Sequence, residues 1–341
     1  MTGPPEGLFA SAVTQYARYR PGYPAREVDR LVDLVGLDRS STVIDIGCGT
    51  GQLTIPLAER AGTVIAVDPL AEMLEAGRAR AVAQELTNIR WLQGDSGTIE
   101  SLVPPGAHLA TFAASFHWTD RAEVLRSLDR MLGPGAHVVT INDDLDAAAE
   151  PDWVPVVGRL RDEFLGTDHT VGTDPWRKSP VSHRQIIEAS PFAKVRSWHW
   201  EWERRLTVDE AVGLQFTYSY STPAVFGPRA AEFASRARAA ILALHPDGTA
   251  PNRSGWKSSS PADRDRHQRQ MHALACSRVT RKRRCGAGYA SGPGGLSSCP
   301  DPYQRGAVPG WDGAPLEGWL AGQLVTPLVV ATFGWVPSFL M

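Results

Sequence analysis

The stretch VIDIGCGTG, from Val43 to Gly51, constrains the fold of this 341-residue chain more than any other. An apolar run containing one acid, Asp45, leads into three glycines at alternate positions. A strand that ends in a glycine-rich turn before a helix presents backbone N–H groups and the positive end of the helix to an anionic or polar ligand. Glycine also lets the backbone approach a nucleotide without a Cβ in the way. The stretch therefore predicts a nucleotide-binding strand, turn and helix.

The spacing of the glycines distinguishes two classes of nucleotide-binding enzyme. The dinucleotide fingerprint is G-x-G-x-x-G, whose last glycine lets the helix pack closely. Counted from Gly47, that pattern needs a third glycine where the chain has Gln52; counted from Gly49, it needs one where the chain has Thr54. The spacing present is D-x-G-x-G-x-G, which disfavours NAD as the ligand.

The first 142 residues alternate short apolar runs with helical patterns. Alternation at this spacing is typical of parallel βαβ units with right-handed crossovers, so we predict a doubly wound α/β sheet. The predicted strands are Val43–Gly47, Val64–Asp68, Ile89–Gln93, Leu109–Ala113 and His137–Asn142, and the predicted helices are Leu53–Ala61, Ala71–Leu86 and Arg121–Leu132.

Four further motifs accompany the glycine stretch in a fixed order. They are YARYRPGYP from Tyr16, AVDPLAEML with Asp68, WLQGDSGTI with Asp95, and SFHWTD from Ser115. Over roughly residues 8–248 the chain resembles class I S-adenosylmethionine-dependent methyltransferases, in particular the small-molecule group that includes the trans-aconitate methyltransferases. The resemblance implies a Rossmann-like, mostly parallel seven-stranded sheet with helical additions that cover the substrate.

The resemblance also implies a set of cofactor residues. Asp45 would meet the ammonium group of S-adenosylmethionine directly or through water, Asp68 the ribose hydroxyls, and Asp95 with the Ser96 backbone the adenine. Two acids have a simpler interpretation: Asp68 as a cap on its strand, and Asp95 as part of a generic turn. The cofactor set is Tyr19, Arg20, Asp45, Gly47, Gly49, Gly51, Asp68, Asp95 and Ser96.

His117 is the candidate catalytic residue, because it follows the predicted fourth strand at the edge where open α/β sheets carry their chemistry. Transfer from a sulfonium needs alignment and exclusion of water more than strong acid–base groups. A base helps only if the acceptor must lose a proton. The alternative is that His117 and Trp118 form a structural corner that closes the cofactor pocket. Tyr16 and Trp118 are the predicted substrate contacts.

Charge is unevenly distributed along the chain. Residues 252–305 carry eleven lysines and arginines against three aspartates, whereas the whole chain has a net charge of −2. The rest of the chain is therefore acidic, which argues against a nucleic-acid substrate. The four cysteines fit no zinc-binding pattern, so we predict no metal. The first residues lack the basic and apolar run of a signal peptide, and we expect a cytoplasmic protein.

The C-terminal part is expected to differ from the rest. We predict a methyltransferase domain at 1–250, whose last sheet strand could come from residues 270–279, and an irregular, largely disordered tail at 251–341. Residues 318–341 carry no charge, but their prolines and polar residues disfavour a membrane span. Between residues 151 and 250 we predict helices and one long strand, Lys194–Leu206.

These features favour a methyltransferase that acts on a hydroxyl or amine of a small molecule, in specialised metabolism such as antibiotic biosynthesis. Three other functions are alternatives to it. An NAD(P)-dependent oxidoreductase is disfavoured by the glycine spacing, and an RNA methyltransferase by the acidic body. A non-catalytic cofactor-binding protein would make its partner contacts through the basic tail. The acceptor itself does not follow from the fold, because function lies in the site that a fold carries.

Overall fold

The computed structural model describes residues 9–142, 151–167, 170–171, 174–175, 181–200, 202–254 and 271–277. The strands in this part of the chain are β1 (Thr42–Ile46), β2 (Thr63–Asp68), β3 (Ile89–Gln93), β4 (Ala107–Ala113), β5 (Leu132–Asn142), β6 (Thr170–Val171), β7 (Asp174–Pro175), β8 (Lys194–Trp200), β9 (Trp202–Thr207), β10 (Thr249–Ser254) and β11 (Met271–Ser277).

The central sheet has the strand order β3-β2-β1-β4-β5-β11-β8. The first five strands in this order run parallel, and β11 is antiparallel to both β5 and β8. The predicted class, a doubly wound and mostly parallel α/β sheet, is confirmed. Two short antiparallel pairs, β9 with β10 and β6 with β7, lie outside this sheet.

The helices flank the sheet or form an addition to it. Side chains cap two of them: Asp120 accepts the Glu123 N–H at the start of the helix Arg121–Met131, and Thr207 with Glu210 forms a capping box at the start of the helix Val208–Gln215. The helices are α1 (Val13–Tyr19), α2 (Ala25–Val35), α3 (Thr54–Ala58), α4 (Ala71–Val82), α5 (Ile99–Leu102), α6 (Arg121–Met131), α7 (Trp153–Leu165), α8 (His183–Glu188), α9 (Val208–Gln215), α10 (Pro223–Phe226) and α11 (Ala230–Leu244).

Two large hydrophobic cores and one small cluster hold the described residues together. The largest core contains most of the buried apolar residues of β1, β2, β4 and β5, as expected for parallel strands covered on both faces. The second core lies among α7, α9, α10 and α11, and we call these four helices the helical cap. In this core Phe226 stacks on Phe233 at 4.2 Å between ring centroids, and the Trp153 indole donates to the Pro251 carbonyl.

The prediction of a single strand over Lys194–Leu206 is wrong. The chain forms β8 in the central sheet up to Trp200, and β9, from Trp202, pairs with β10 instead. Alternation of apolar and polar residues continues across both strands, so the pattern alone does not reveal that the chain changes sheets. The side chain of Trp198 is buried in the largest core, which agrees with a packing role.

Two structural features bear on the predicted tail. Strand β10 continues to Ser254, beyond the boundary set at residue 250, and β11 falls within residues 270–279. The rest of the predicted tail, residues 255–270 and 278–341, lies outside the described residues. Within the described ranges, no helix has the length and apolar character needed to cross a membrane.

Candidate active site

The site lies where the strand order of the sheet changes direction. Strand β1 pairs with β2 on one side and with β4 on the other, so the loops after β1 and β4 begin at the same edge. In open α/β sheets, ligands bind in the crevice outside the carboxyl ends of the strands at such a point. The glycine turn follows β1 there, and Ser115 to Trp118 follow β4.

Gly47 begins the turn at a position that only glycine suits. Its φ of 70° lies in the left-handed region, and a Cβ would stand 2.4 Å from the Cβ of Ser115. The Ser115 hydroxyl donates to the Ile46 carbonyl at 2.5 Å, which fixes the end of β4 against the turn. Ser115 opens the SFHWTD motif, but nothing local to it in the sequence indicates a partner 69 residues away.

The backbone at Ala114 is strained at the same edge. Its φ of 55° falls in the region that favours glycine, and its N–H donates to the Ile141 carbonyl of β5 at 2.6 Å. Such conformations cost of the order of 1–3 kcal/mol and cluster at functional sites. The turn at Ala114 sends the chain from β4 into the short 3₁₀ helix Phe116–Trp118.

Asp45 lies beneath the turn, not on its surface. The carboxylate is fully buried, accepting hydrogen bonds from the hydroxyls of Thr54 at 2.6 Å and Thr111 at 2.7 Å. The pKa of Asp45 is raised to about 6, mainly by burial and also by the charge of Asp68, while the hydrogen bonds from the two hydroxyls oppose the rise. Each carboxylate oxygen of Asp45 thus has one hydroxyl partner, and the expected contact with a ligand's ammonium group, directly or through water, stays a prediction.

Asp68 ends β2 and holds the glycine turn directly. One carboxylate oxygen accepts the Gly49 N–H at 2.9 Å, and the other accepts the Leu70 N–H at 3.0 Å. Burial raises the pKa of Asp68, and these two hydrogen bonds oppose the rise. The side chain therefore caps the turn after β2 and also fixes the glycine turn, while its contact with ribose hydroxyls stays a prediction.

The N-terminal helix α1 covers the turn. A Cβ at Gly49, whose φ is 54°, would lie 3.5 Å from the Tyr16 ring. The Gln52 side chain bridges the two parts, because its amide donates to the Thr50 hydroxyl at 2.8 Å and to the Tyr16 carbonyl at 3.4 Å. Arg80 of α4 donates to the Thr50 carbonyl at 2.5 Å from the other side.

Three residues of the predicted cofactor set lie near β3, the strand that pairs with β2 and its terminal Asp68. Gly51 packs against Trp91 of β3, whose ring would be 2.9 Å from a Cβ at that position. Asp95 is exposed, and its carboxylate accepts the N–H groups of Gly97 and Thr98, as in a generic turn. Ser96 follows it, half-buried.

Aromatic side chains connect the end of β4 to the N-terminal segment. His117 is exposed, and its ring centroid lies 4.9 Å from that of Trp118. The Phe9 ring makes edge contacts with both Trp118, at 6.1 Å, and Tyr16, at 6.3 Å. The structure thus brings the predicted catalytic residue and both predicted substrate contacts to one side of the turn.

His183 lies beside His117, and it belongs to none of the motifs visible in the sequence. The Arg121 guanidinium contacts its Nδ1 at 3.1 Å, and Phe116 packs on its ring at 5.1 Å. Burial, with the nearby charges of His117 and Arg121, lowers the pKa of His183 to about 3. Because a guanidinium can only donate, Nδ1 accepts and the ring proton resides on Nε2.

Tyr19 and Arg20 extend α1 towards the helical cap. The Arg20 guanidinium lies 5.6 Å from the ring centroids of both Tyr16 and Tyr218. Tyr19 packs on the backbone of α9 at Gly213. These two predicted cofactor residues therefore contact the cap, while Tyr16 on the same helix contacts the turn.

The fold and the site together define a class: an α/β enzyme that binds a nucleotide-type cofactor on a glycine turn at the switch point of its sheet. A family model described as "Methyltransferase domain" matches residues 43–135. An uncharacterised methyltransferase of Mycobacterium tuberculosis is 31% identical over 214 residues, which cover 62% of this chain and 76% of that protein. The trans-aconitate 2-methyltransferase of an Azoarcus species is 37% identical over 108 residues, or 31% of this chain and 40% of that protein.

Among solved structures, geranyl diphosphate methyltransferase in complex with SAM aligns over 80% of this chain and 91% of its own, with 16% identity and a TM-score of 0.40. The chain belongs to the class I S-adenosylmethionine-dependent methyltransferases. It is an enzyme of methyl transfer, and S-adenosylmethionine is its cofactor.

The charges of the site fit this cofactor. Two buried carboxyls, Asp45 and Asp68, repel each other below and beside the turn. A ligand that carries an ammonium and a sulfonium relieves that repulsion, because opposite charges nearby favour the ionised carboxylate.

Proposed function

We propose that the enzyme methylates a hydroxyl or an amine of a small molecule in specialised metabolism, such as antibiotic biosynthesis, in the cytoplasm. The observation that carries the proposal is the position of His117. It is exposed one short turn beyond β4, next to Trp118 and on the same side as the segment that covers the glycine turn. A titratable group at this edge, beside a covered cofactor turn, suits an acceptor that must lose a proton.

Each cofactor residue has a role that its contacts allow. The two carboxylate oxygens of Asp68 each accept one backbone N–H, and each has a second lone pair available to a ribose hydroxyl. Asp95 and the Ser96 backbone are proposed to read the adenine. Tyr19 and Arg20 act from α1, which closes over the turn formed by Gly47, Gly49 and Gly51.

The reaction places few demands on acid–base chemistry. When bound, S-adenosylmethionine would supply a methyl group carried on a positively charged sulfur, so the site needs no strong acid to activate it. An imidazole nitrogen of His117 takes the proton of an acceptor hydroxyl as the oxygen attacks. Phe9, Tyr16 and Trp118 exclude water and align the acceptor, which together can supply a large part of the rate enhancement.

A substitution of His117 tests the proposal. With a hydroxyl acceptor, His117→Ala should lower kcat about 10²–10⁴-fold, the usual contribution of general base catalysis, while the affinity for S-adenosylmethionine stays nearly unchanged. His108→Ala is the matched control, because His108 is also exposed but lies at the other end of β4, where its Nδ1 accepts the Thr42 N–H. The control should leave turnover unchanged.

Acceptors are found by incubating the enzyme with methyl-labelled S-adenosylmethionine and sets of small hydroxyl compounds, small amines and structured RNA. Label transfer to a small molecule is the expected result, and transfer to RNA alone would contradict the proposal. Loss of cofactor binding in His117→Ala would identify the histidine as part of the pocket wall instead. An unchanged rate with a hydroxyl acceptor would leave alignment as the catalytic device.

A further inference from the structure

The glycine at position 213 stands in the interior of a helix, where glycine is unfavourable compared with alanine. Gly213 is buried within α9 and has helical backbone geometry, so neither a turn nor a positive φ accounts for it. A local reason must therefore lie in the space that a side chain would fill.

That space is occupied by the ring of Tyr19. A Cβ at Gly213 would lie 2.3 Å from Cδ2, 2.4 Å from Cε2 and 2.6 Å from Cγ of this ring. Contact with three ring atoms means that the face of the ring, not its flexible end, rests on the backbone of α9. The Arg18 guanidinium lies 5.1 Å from the ring centroid, which further fixes the ring.

Helix α1 is thus attached at two places. Tyr19 anchors it to α9 of the helical cap, and Tyr16, three residues earlier, lies against the glycine turn. The Gln52 amide and the Tyr16 carbonyl make a second link to the turn at 3.4 Å. Helix α9 is itself fixed by its capping box and by the buried core of the cap.

We propose that Gly213 is a positioning residue for the cofactor site. Because Gly213 has no side chain, the Tyr19 ring packs on α9, and this contact fixes the position of α1 over the glycine turn. The cap and the cofactor turn are coupled through this helix, although α9 supplies no residue to the predicted cofactor set. The inference rests on the proposed role of α1 in covering the cofactor.

A double-mutant cycle tests the coupling. The affinity for S-adenosylmethionine is measured by calorimetry for the wild type, Gly213→Ala, Tyr19→Ala and the double variant, and the thermal unfolding of each is recorded without cofactor. With the ring present, the added methyl group must displace Tyr19, and we expect Gly213→Ala to weaken binding about tenfold or more. In the Tyr19→Ala background the same change should alter affinity by less than about twofold and raise the melting temperature, because alanine is the better helix former.

Two further comparisons complete the test. If Gly213→Ala does not fold, Tyr19→Ala, which leaves Gly213 in place, should still bind more weakly than the wild type. In the Tyr19→Phe background, which retains the ring, Gly213→Ala should again weaken binding about tenfold or more, whatever the affinity of Tyr19→Phe itself. Thr14→Ala, on the exposed side of α1, is the matched control and should change neither affinity nor melting temperature.

Unchanged affinity in Gly213→Ala, or an equal loss with and without the ring, would overturn the inference while leaving the cofactor assignment intact. An effect of Gly213→Ala that disappears in the Tyr19→Phe background would also overturn it, because the hydroxyl and not the ring would then matter. Failure of the wild-type protein to bind S-adenosylmethionine would overturn the proposed function itself.

Discussion

Asp45 is buried beneath the glycine turn, where two threonine hydroxyls hold its carboxylate. Its pKa is about 6 in the folded protein, mainly because of burial, and the ordinary value is 3.8. The folded state therefore binds the proton more tightly than the unfolded state. The resulting stabilisation is fully present below pH 3.8 and is lost as the pH rises towards 6.

Replacing Asp45 by a neutral side chain of the same shape should remove this loss of stability at higher pH. We expect Asp45→Asn to increase the free energy of unfolding at pH 7 by about 1–3 kcal/mol and to change it little at pH 4, since each unit of pKa shift corresponds to about 1.4 kcal/mol. Urea unfolding at the two pH values measures the difference. An equal effect at both would mean that hydrogen bonding to Thr54 and Thr111, and not charge, decides the stability.

Asp68 is expected to matter for the cofactor more than for the fold. Asp68→Ala should weaken S-adenosylmethionine binding by about 1.5–3 kcal/mol, the range for hydrogen bonds to a charged group, without unfolding the protein. Asp38 makes a similar turn contact, accepting the Ser40 N–H at 2.8 Å just before β1, so Asp38→Ala is the control and should bind normally. Cofactor affinity like that of the wild type in Asp68→Ala would limit the acid to capping the end of β2.

At the scale of elements, the predictable part of the fold is the part with local patterns. The five parallel strands and the helices between them follow from short apolar runs separated by helical periods. Strand β11 does not, because it enters the sheet between β5 and β8 from a segment far from both in sequence. The sequence analysis could therefore name residues 270–279 only as a possible last strand of the sheet, without its neighbours.

Truncations at two positions test the contribution of β11. Removing residues after Val279 leaves every described strand in place, and we predict that it preserves S-adenosylmethionine affinity. Removing residues after Ser254 deletes β11 and leaves β5 and β8 with unpaired edges, which should cause unfolding or aggregation. Loss of S-adenosylmethionine binding in a soluble protein truncated after Val279 would show that later residues contribute to the site.

At the scale of the whole molecule, the candidate site combines motifs that are visible in the sequence with contacts that are not. The glycine turn, Asp68 and His117 could be placed from local spacing and from strand order. Ser115 against Gly47, Gln52 beneath Tyr16 and Gly213 beneath Tyr19 could not, because each pair joins segments that only the folded chain brings together. The burial of Asp45 belongs to the same group, since a motif gives no side-chain environment.

The central claim is that the turn from Gly47 to Gly51 binds S-adenosylmethionine. Calorimetric titration of the wild-type protein with S-adenosylmethionine, and separately with NAD, tests it most directly, with Gly49→Val as the variant whose side chain would enter the space between the turn and Tyr16. The account predicts saturable binding of S-adenosylmethionine by the wild type, none by Gly49→Val, and no binding of NAD. Binding of NAD without binding of S-adenosylmethionine would contradict it.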